Sequence, residues 1–144
     1  MSQMEIRSFR ESDRASLISL WQRCDLTRPW NDPDRDVDRR VLHGESGNEG
    51  ILLAFGEGSL IGAVMFGYDG HRGSVNYLCV DPEHRRSGLA GVLMQAVEEK
   101  LRAQGCPKIN LMVRTGNLSV RDFYHAIGYE DQEVVVLGKR LIED

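Results

Sequence analysis

Apolar positions along this chain change their period several times, and each change marks an element. Glu5–Phe9 alternates, which predicts an opening strand. Leu17, Ile18, Leu20 and Trp21 then fall on one face of a helix that Ser12 or Asp13 can cap and that should end near Cys24. Pro29 and Pro33 bias their predecessors away from helix, so residues 28–32 read as a loop. Asp32 caps a second helix with Pro33 at its first position, and Val37, Val41 and Leu42 give it a short apolar stripe. Gly44–Gly50 is a polar loop. Ile51–Phe55 and Leu60–Phe66 are apolar strands joined by Gly56-Glu57-Gly58-Ser59, a hairpin signal. Asp69-Gly70 and Gly73 mark a second tight connection before the strand Ser74–Val80. Leu89, Val92, Leu93, Ala96, Val97 and Leu101 share one face of a helix from about Ser87 to Gln104, with Gly105 suited to its C′ position and Pro107 blocking continuation. Ile109–Val113 reads as a strand, Asn117 or Leu118 to Ala126 as a short helix, and Val134–Leu137 as the final strand.

Ser74–Val80, the helix after it and Ile109–Val113 make a strand–helix–strand crossover, so the two strands should run parallel. The hairpins imply antiparallel neighbours. The expected fold is α/β, a mixed and mostly antiparallel sheet with helices on both faces. No repeat, low-complexity tract or linker divides the chain, and 144 residues suit one domain spanning 1–144.

Composition narrows the function classes. Hydrophobic residues make up 41% and charged residues 28%, as in a globular domain. The net charge of −4 argues against a general nucleic-acid binder. Met1-Ser2-Gln3-Met4-Glu5 is no apolar signal region, and no apolar run approaches membrane-spanning length, so a cytoplasmic protein without membrane contact is expected. Cys24, Cys79 and Cys106 are odd in number and widely spaced, and His43, His71, His84 and His125 lack ligand spacing. Neither disulfides nor a metal is expected.

The candidate chemistry begins at Arg85-Arg86-Ser87-Gly88-Leu89-Ala90, a basic turn that opens a helix. The first N–H groups of a helix have no intrahelical partner and sit at the positive end of its dipole. A phosphate can accept from them, and Gly88 removes the Cβ that would hold it off. Downstream lies Asn117-Leu118-Ser119-Val120-Arg121-Asp122-Phe123-Tyr124-His125-Ala126-Ile127-Gly128-Tyr129.

Together these segments resemble the GNAT superfamily of N-acetyltransferases. The first matches its acyl-CoA pyrophosphate loop, (Arg/Gln)-x-x-Gly-x-(Gly/Ala). The second matches its Asn-x-x-Ala-x-x-Phe-Tyr-x-x-x-Gly-(Phe/Tyr) element, with Val120 where alanine is usual. Arg28–Pro33, Tyr68–Gly73 and the tail Leu137–Asp144 are similar to the small bacterial YpeA-type acetyltransferases.

The resemblance implies a central pair of parallel strands that splay apart around the pantetheine arm of acetyl-CoA. It implies that Leu78, Cys79 and Val80 supply backbone groups to that arm, the Val80 amide polarising the thioester carbonyl. The pyrophosphate would lie on the amides from Arg86 to Ala90, through Ser87, Gly88 and Leu89, with Arg85 and Arg86 adding charge. Asn117 would cap its helix or touch the pantetheine arm. Tyr124 would protonate the departing thiolate, a role open to a phenol that is protonated at neutral pH.

The implied reaction moves an acetyl group from acetyl-CoA to a primary amine, without a covalent acyl-enzyme. A non-catalytic acyl-CoA sensor on the same fold is the competing reading. Ser74–Val80 contains no Glu or Asp, so no general base is evident. Asp81, Asp69, His71 and Glu5 are the candidates. The acceptor side should come from the first two helices and their loop, with Trp30, Asn31 and Asp32 as contacts. Asp34, Asp36 and Asp38 read as helix-start charge. A homodimer stays open as an assembly.

Overall fold

The computed structural model describes residues 4–44 and 47–144. Five strands form one sheet in sequence order: β1 (Met4–Ser8), β2 (Ile51–Gly56), β3 (Ser59–Tyr68), β4 (Gly73–Val80) and β5 (Ile109–Leu111). The first four pair antiparallel, and β4 and β5 pair parallel as the crossover requires. The β2–β3 hairpin turns through Glu57 at φ 51° and Gly58 at φ 83°. Two positive φ values suit the twist of a two-residue hairpin.

Helices cover both faces. On one lie α1 (Arg14–Arg23) and α2 (Pro33–His43), burying Leu17, Leu20, Trp21 and Val37 against Leu53, Ala63 and Met65. The Asp32 carboxylate accepts the Asp34 N–H at 2.9 Å, as its capping role requires. On the other face α3 (Leu89–Ala103) buries Leu89, Leu93, Met94, Val97 and Leu101 together with Tyr124 of α4 (Leu118–Ala126). Gly105 takes φ 86° just past α3. Among the described residues no helix is long and apolar enough to cross a membrane, and no group of His, Cys, Asp and Glu is placed to hold a metal.

Four expectations need correction. Val134–Leu137 forms no strand; these side chains are exposed, and β4–β5 therefore lies at the margin of the sheet. The run is apolar and β5 offers a free edge, but the chain is not laid alongside it. Lys108 and Asp131 contacts hold the chain through Gln132, Glu133 turns it away at φ 54°, and Asp144 is tied to α2. β5 stops at Leu111, with Met112 exposed. Leu42 points to solvent, one position outside the Val37–Val41 stripe. Val92 is partly exposed while Met94 is buried, because the α3 face runs through 93, 94 and 97. The Gly44–Gly50 loop contains a single 3-10 turn at Gly47–Gly50, and Glu45 and Ser46 lie outside the described residues.

Candidate active site

The parallel pairing ends at Val75 and Leu111, while β4 continues to Val80. From Asn76 onward β4 has no neighbour on that side, which is the expected splay. Gly62 and Val80 are directly opposed across β3–β4, and the flanking Asp81 N–H donates to Ile61 O at 2.7 Å. Val80 is thus a non-hydrogen-bonded position, whose N–H and C=O point away from β3 and into the gap. Its carbonyl accepts from Arg85 Nε at 3.2 Å and Cys24 Sγ at 3.3 Å. Among the described residues its N–H has no strand partner and faces the gap.

The basic turn follows directly. Asp81 caps it by accepting the Glu83 N–H at 2.9 Å, and Arg23 pairs with Asp81 at 2.9 Å. Arg86 at φ 66° and Gly88 at φ 81° are both left-handed, and residues 82–88 are exposed. The first α3 N–H with an intrahelical partner is that of Val92, donating to Gly88 O at 3.2 Å. The Leu89–Gly91 amides are therefore free at the helix start. A Cβ built on Gly88 meets nothing within 4 Å, so its surroundings are open. Arg85 Nε donates to Val80 O at 3.2 Å, which leaves its Nη groups and the exposed Arg86 to meet an anion.

Asn117 caps α4: its Oδ1 accepts the Val120 N–H at 3.4 Å. Tyr124 is buried in the same apolar cluster as Val80, Leu89 and Leu93, with Phe123 and Tyr129 edge-on at 5.1 and 5.4 Å. Burial pushes its phenol up to about 12. It is neutral at pH 7, and its hydroxyl has no protein hydrogen-bond partner among the described residues. Cys79 is buried, and the neighbouring Cys24 and then desolvation push its thiol well up, which makes it a poor nucleophile.

The opposite face holds what the sequence did not reveal. β3–β4 pairing shifts register between Ala63 and Met65, and Tyr77 takes φ 55° in that bulge. Its ring stacks on Trp21 with centroids 4.1 Å apart. Its hydroxyl donates to Asp36 at 2.5 Å, and Asn31 Nδ2 also donates to that carboxylate. These groups line a cleft of about 490 Å³ that reaches Arg40, Asn76 and Met65. Asn31 is the one residue of the anticipated acceptor set that lines it; Trp30 is exposed and Asp32 is the α2 cap.

None of the anticipated bases is in this cleft. Asp69 and His71 lie in the β3–β4 turn, at the far end of β4 from Val80, and Glu5 is on β1 at the other margin. Asp81 is held by the Glu83 N–H and Arg23. Asp36 is the acid that faces the cleft. Asp34 and Asp38, by contrast, both turn to Arg14, at 3.4 and 2.7 Å. Two-residue spacing separates Asp36 from that pair.

The sequence profile of the Acetyltransferase (GNAT) family matches residues 14–129. The chain belongs to the GNAT family. Acetyltransferases of Pectobacterium atrosepticum and Yersinia enterocolitica are each 50% identical to this GNAT chain over 141 residues, covering 98% of both chains. One of Sodalis glossinidius is 51% identical over 142 residues. The solved aminoglycoside N-acetyltransferase AAC(6')-Iy in complex with CoA has the same fold, with a TM-score of 0.78 at 19% identity and coverage of 99% of this chain and 97% of that one. The ribosomal-protein-S18-alanine N-acetyltransferase of Escherichia coli follows at 0.74, with 18% identity and coverage of 88% and 77%. This GNAT protein is accordingly an acetyl-CoA-dependent acyltransferase.

Proposed function

We propose that this protein transfers the acetyl group of acetyl-CoA to a primary amine by direct attack in a ternary complex. The observation that carries the reading is the continuity of free backbone donors, from the Val80 N–H in the β4–β5 gap to the Leu89–Gly91 amides at the α3 start. A thioester carbonyl at one end and a pyrophosphate at the other match that row. Arg86, Ser87, Gly88, Leu89 and Ala90 hold the pyrophosphate, and Leu78, Cys79 and Val80 present strand backbone to the pantetheine arm.

The amine approaches from the α2 cleft, which opens beside Asn76 and Tyr77 where β4 leaves β5. Its nitrogen, once neutral, attacks the acetyl carbon while the Val80 N–H steadies the growing negative charge on oxygen. The C–N bond forms, the C–S bond breaks, and the proton shed by nitrogen leaves to solvent. Tyr124 donates to the departing sulfur and is reprotonated from solvent, leaving an acetamide and the CoA thiol. With a pKa of about 12 against ~8.5 for a thiol, the phenol never carries the negative charge for long. Asn117 orders the start of α4 and so the placement of Tyr124.

Acetyl-CoA is expected to stabilise the fold, because the donor row exists only in the folded chain. At about 100 times its Kd the gain is ~2.7 kcal/mol, a rise of roughly 5–10 °C in Tm by thermal shift. No shift with millimolar acetyl-CoA refutes the site.

A further inference from the structure

The charges lining the α2 cleft do not cancel in place. Arg39 is taken, since its guanidinium holds the Asp144 carboxylate at 2.6 and 3.2 Å. Arg40 is not. Its acceptors are neutral, Phe66 O at 2.9 Å and Asn76 Oδ1 at 3.1 Å, and no carboxylate among the described residues lies within 4.0 Å of it. The guanidinium is pressed so closely against the sheet that a Cβ on Gly67 would come within 2.6 Å of Nη1. Desolvating a cation is costly, and such groups ordinarily have an anionic partner. Burial accordingly lowers the pKa of Arg40, and Asp36 offsets this only in part, without contact.

Asp36 has the complementary vacancy. Tyr77 and Asn31 both donate to its Oδ2. Its Oδ1 has only Arg39 Nη1 at 3.7 Å, beyond hydrogen-bond distance. Among the described residues, the cleft therefore presents one carboxylate oxygen without a donor and one guanidinium without an anion. They stand one helical turn apart on α2, at the point where β4 leaves β5.

We propose that the acceptor carries a carboxylate close to its reactive amine, as a free α-amino acid does, with the carboxylate on Arg40 and the amine against Asp36. This rests on the reading above that the protein acetylates an amine, and it names the substrate class. A polyamine or a peptide N-terminus brings an ammonium to Asp36 but no anion to Arg40. The competing use of Arg40 is as a neutral bracket from α2 to the sheet, but its two hydrogen bonds to uncharged oxygens do not require a full charge.

The test follows thiol release from acetyl-CoA with free α-amino acids, each beside its α-amide and the amine lacking the carboxyl group. The best amino acid is expected to exceed its amide at least about tenfold in kcat/KM, the loss typical of one charge-assisted hydrogen bond. Arg40→Gln should bring that ratio near one, and Arg40→Lys should keep most of it. A bracket would instead lower acid and amide alike, or change stability alone. If Arg40→Gln fails to fold, the acid–amide comparison in the parent protein decides. Equal rates on acid and amide, or a preference for polyamines or peptide N-termini, overturn the proposal and leave acetyl transfer standing. Thiol release from no amine at all, with acetyl-CoA still producing its thermal shift, overturns the transferase reading and this one with it.

Discussion

Tyr124→Phe is expected to slow acetyl transfer by ~10²–10⁴-fold, the range for losing a positioned proton donor. The change removes one hydroxyl and nothing else. Among the described residues that hydroxyl has no partner, so its loss leaves no buried group unsatisfied, and the ring keeps its edge contacts with Phe123 and Tyr129. Stability and acetyl-CoA affinity should therefore stay close to those of the parent. The rate belongs to single-turnover thiol release at saturating substrates, because slow product release masks a chemical defect in kcat. A variant with the parent's rate removes Tyr124 from the mechanism and leaves the acyl-CoA site in place.

The second large effect is at Gly88. Gly88→Val should weaken CoA binding at least about tenfold beyond any loss of stability, the equivalent of ~1.4 kcal/mol. Two costs are combined in that residue. The backbone sits at φ 81°, which a β-branched side chain tolerates badly, at about 1–2 kcal/mol. The new side chain also projects into space that the protein leaves open. Gly58→Val separates the two. Gly58 has φ 83° and equally open surroundings, but it lies in the β2–β3 hairpin turn, outside the site. It should lose stability by a similar amount and bind CoA like the parent. Equal affinities in both variants place the pyrophosphate elsewhere.

The parts legible in the sequence are those that local backbone rules dictate. Gly88 marks the turn because it takes the left-handed backbone at φ 81° without strain and brings no Cβ to the helix start, Asp32 and Asn117 cap because the following N–H groups lack partners, and the crossover makes β4 and β5 parallel. The α2 cleft follows no such rule. Asp36, Asn31 and Tyr77 meet only because the β4 bulge turns Tyr77 under Trp21, and a bulge leaves no composition signal in Ser74–Val80. Asp36 was hidden between Asp34 and Asp38, which have an ordinary surface partner in Arg14. Arg40 was hidden because the sequence does not say which arginine lacks an anion. Val134–Leu137 misled for the opposite reason: its β-branched run has strand composition, but a strand forms only where the chain is laid along an edge, and after the left-handed Glu133 this run does not follow the free edge of β5.

The most direct test of the account is the fate of a labelled acetyl group in one turnover. The protein is mixed with acetyl-labelled acetyl-CoA, with and without an amine acceptor, quenched in acid, and separated into protein, CoA thioester and small products. Direct attack leaves the label on CoA when the amine is absent and moves it to the acetamide when it is present, with none on the protein at either stage. Label retained by the protein, at Cys24 or Cys79, contradicts direct attack. Label that stays on CoA with every amine, despite tight binding, contradicts transfer and makes the site an acyl-CoA sensor.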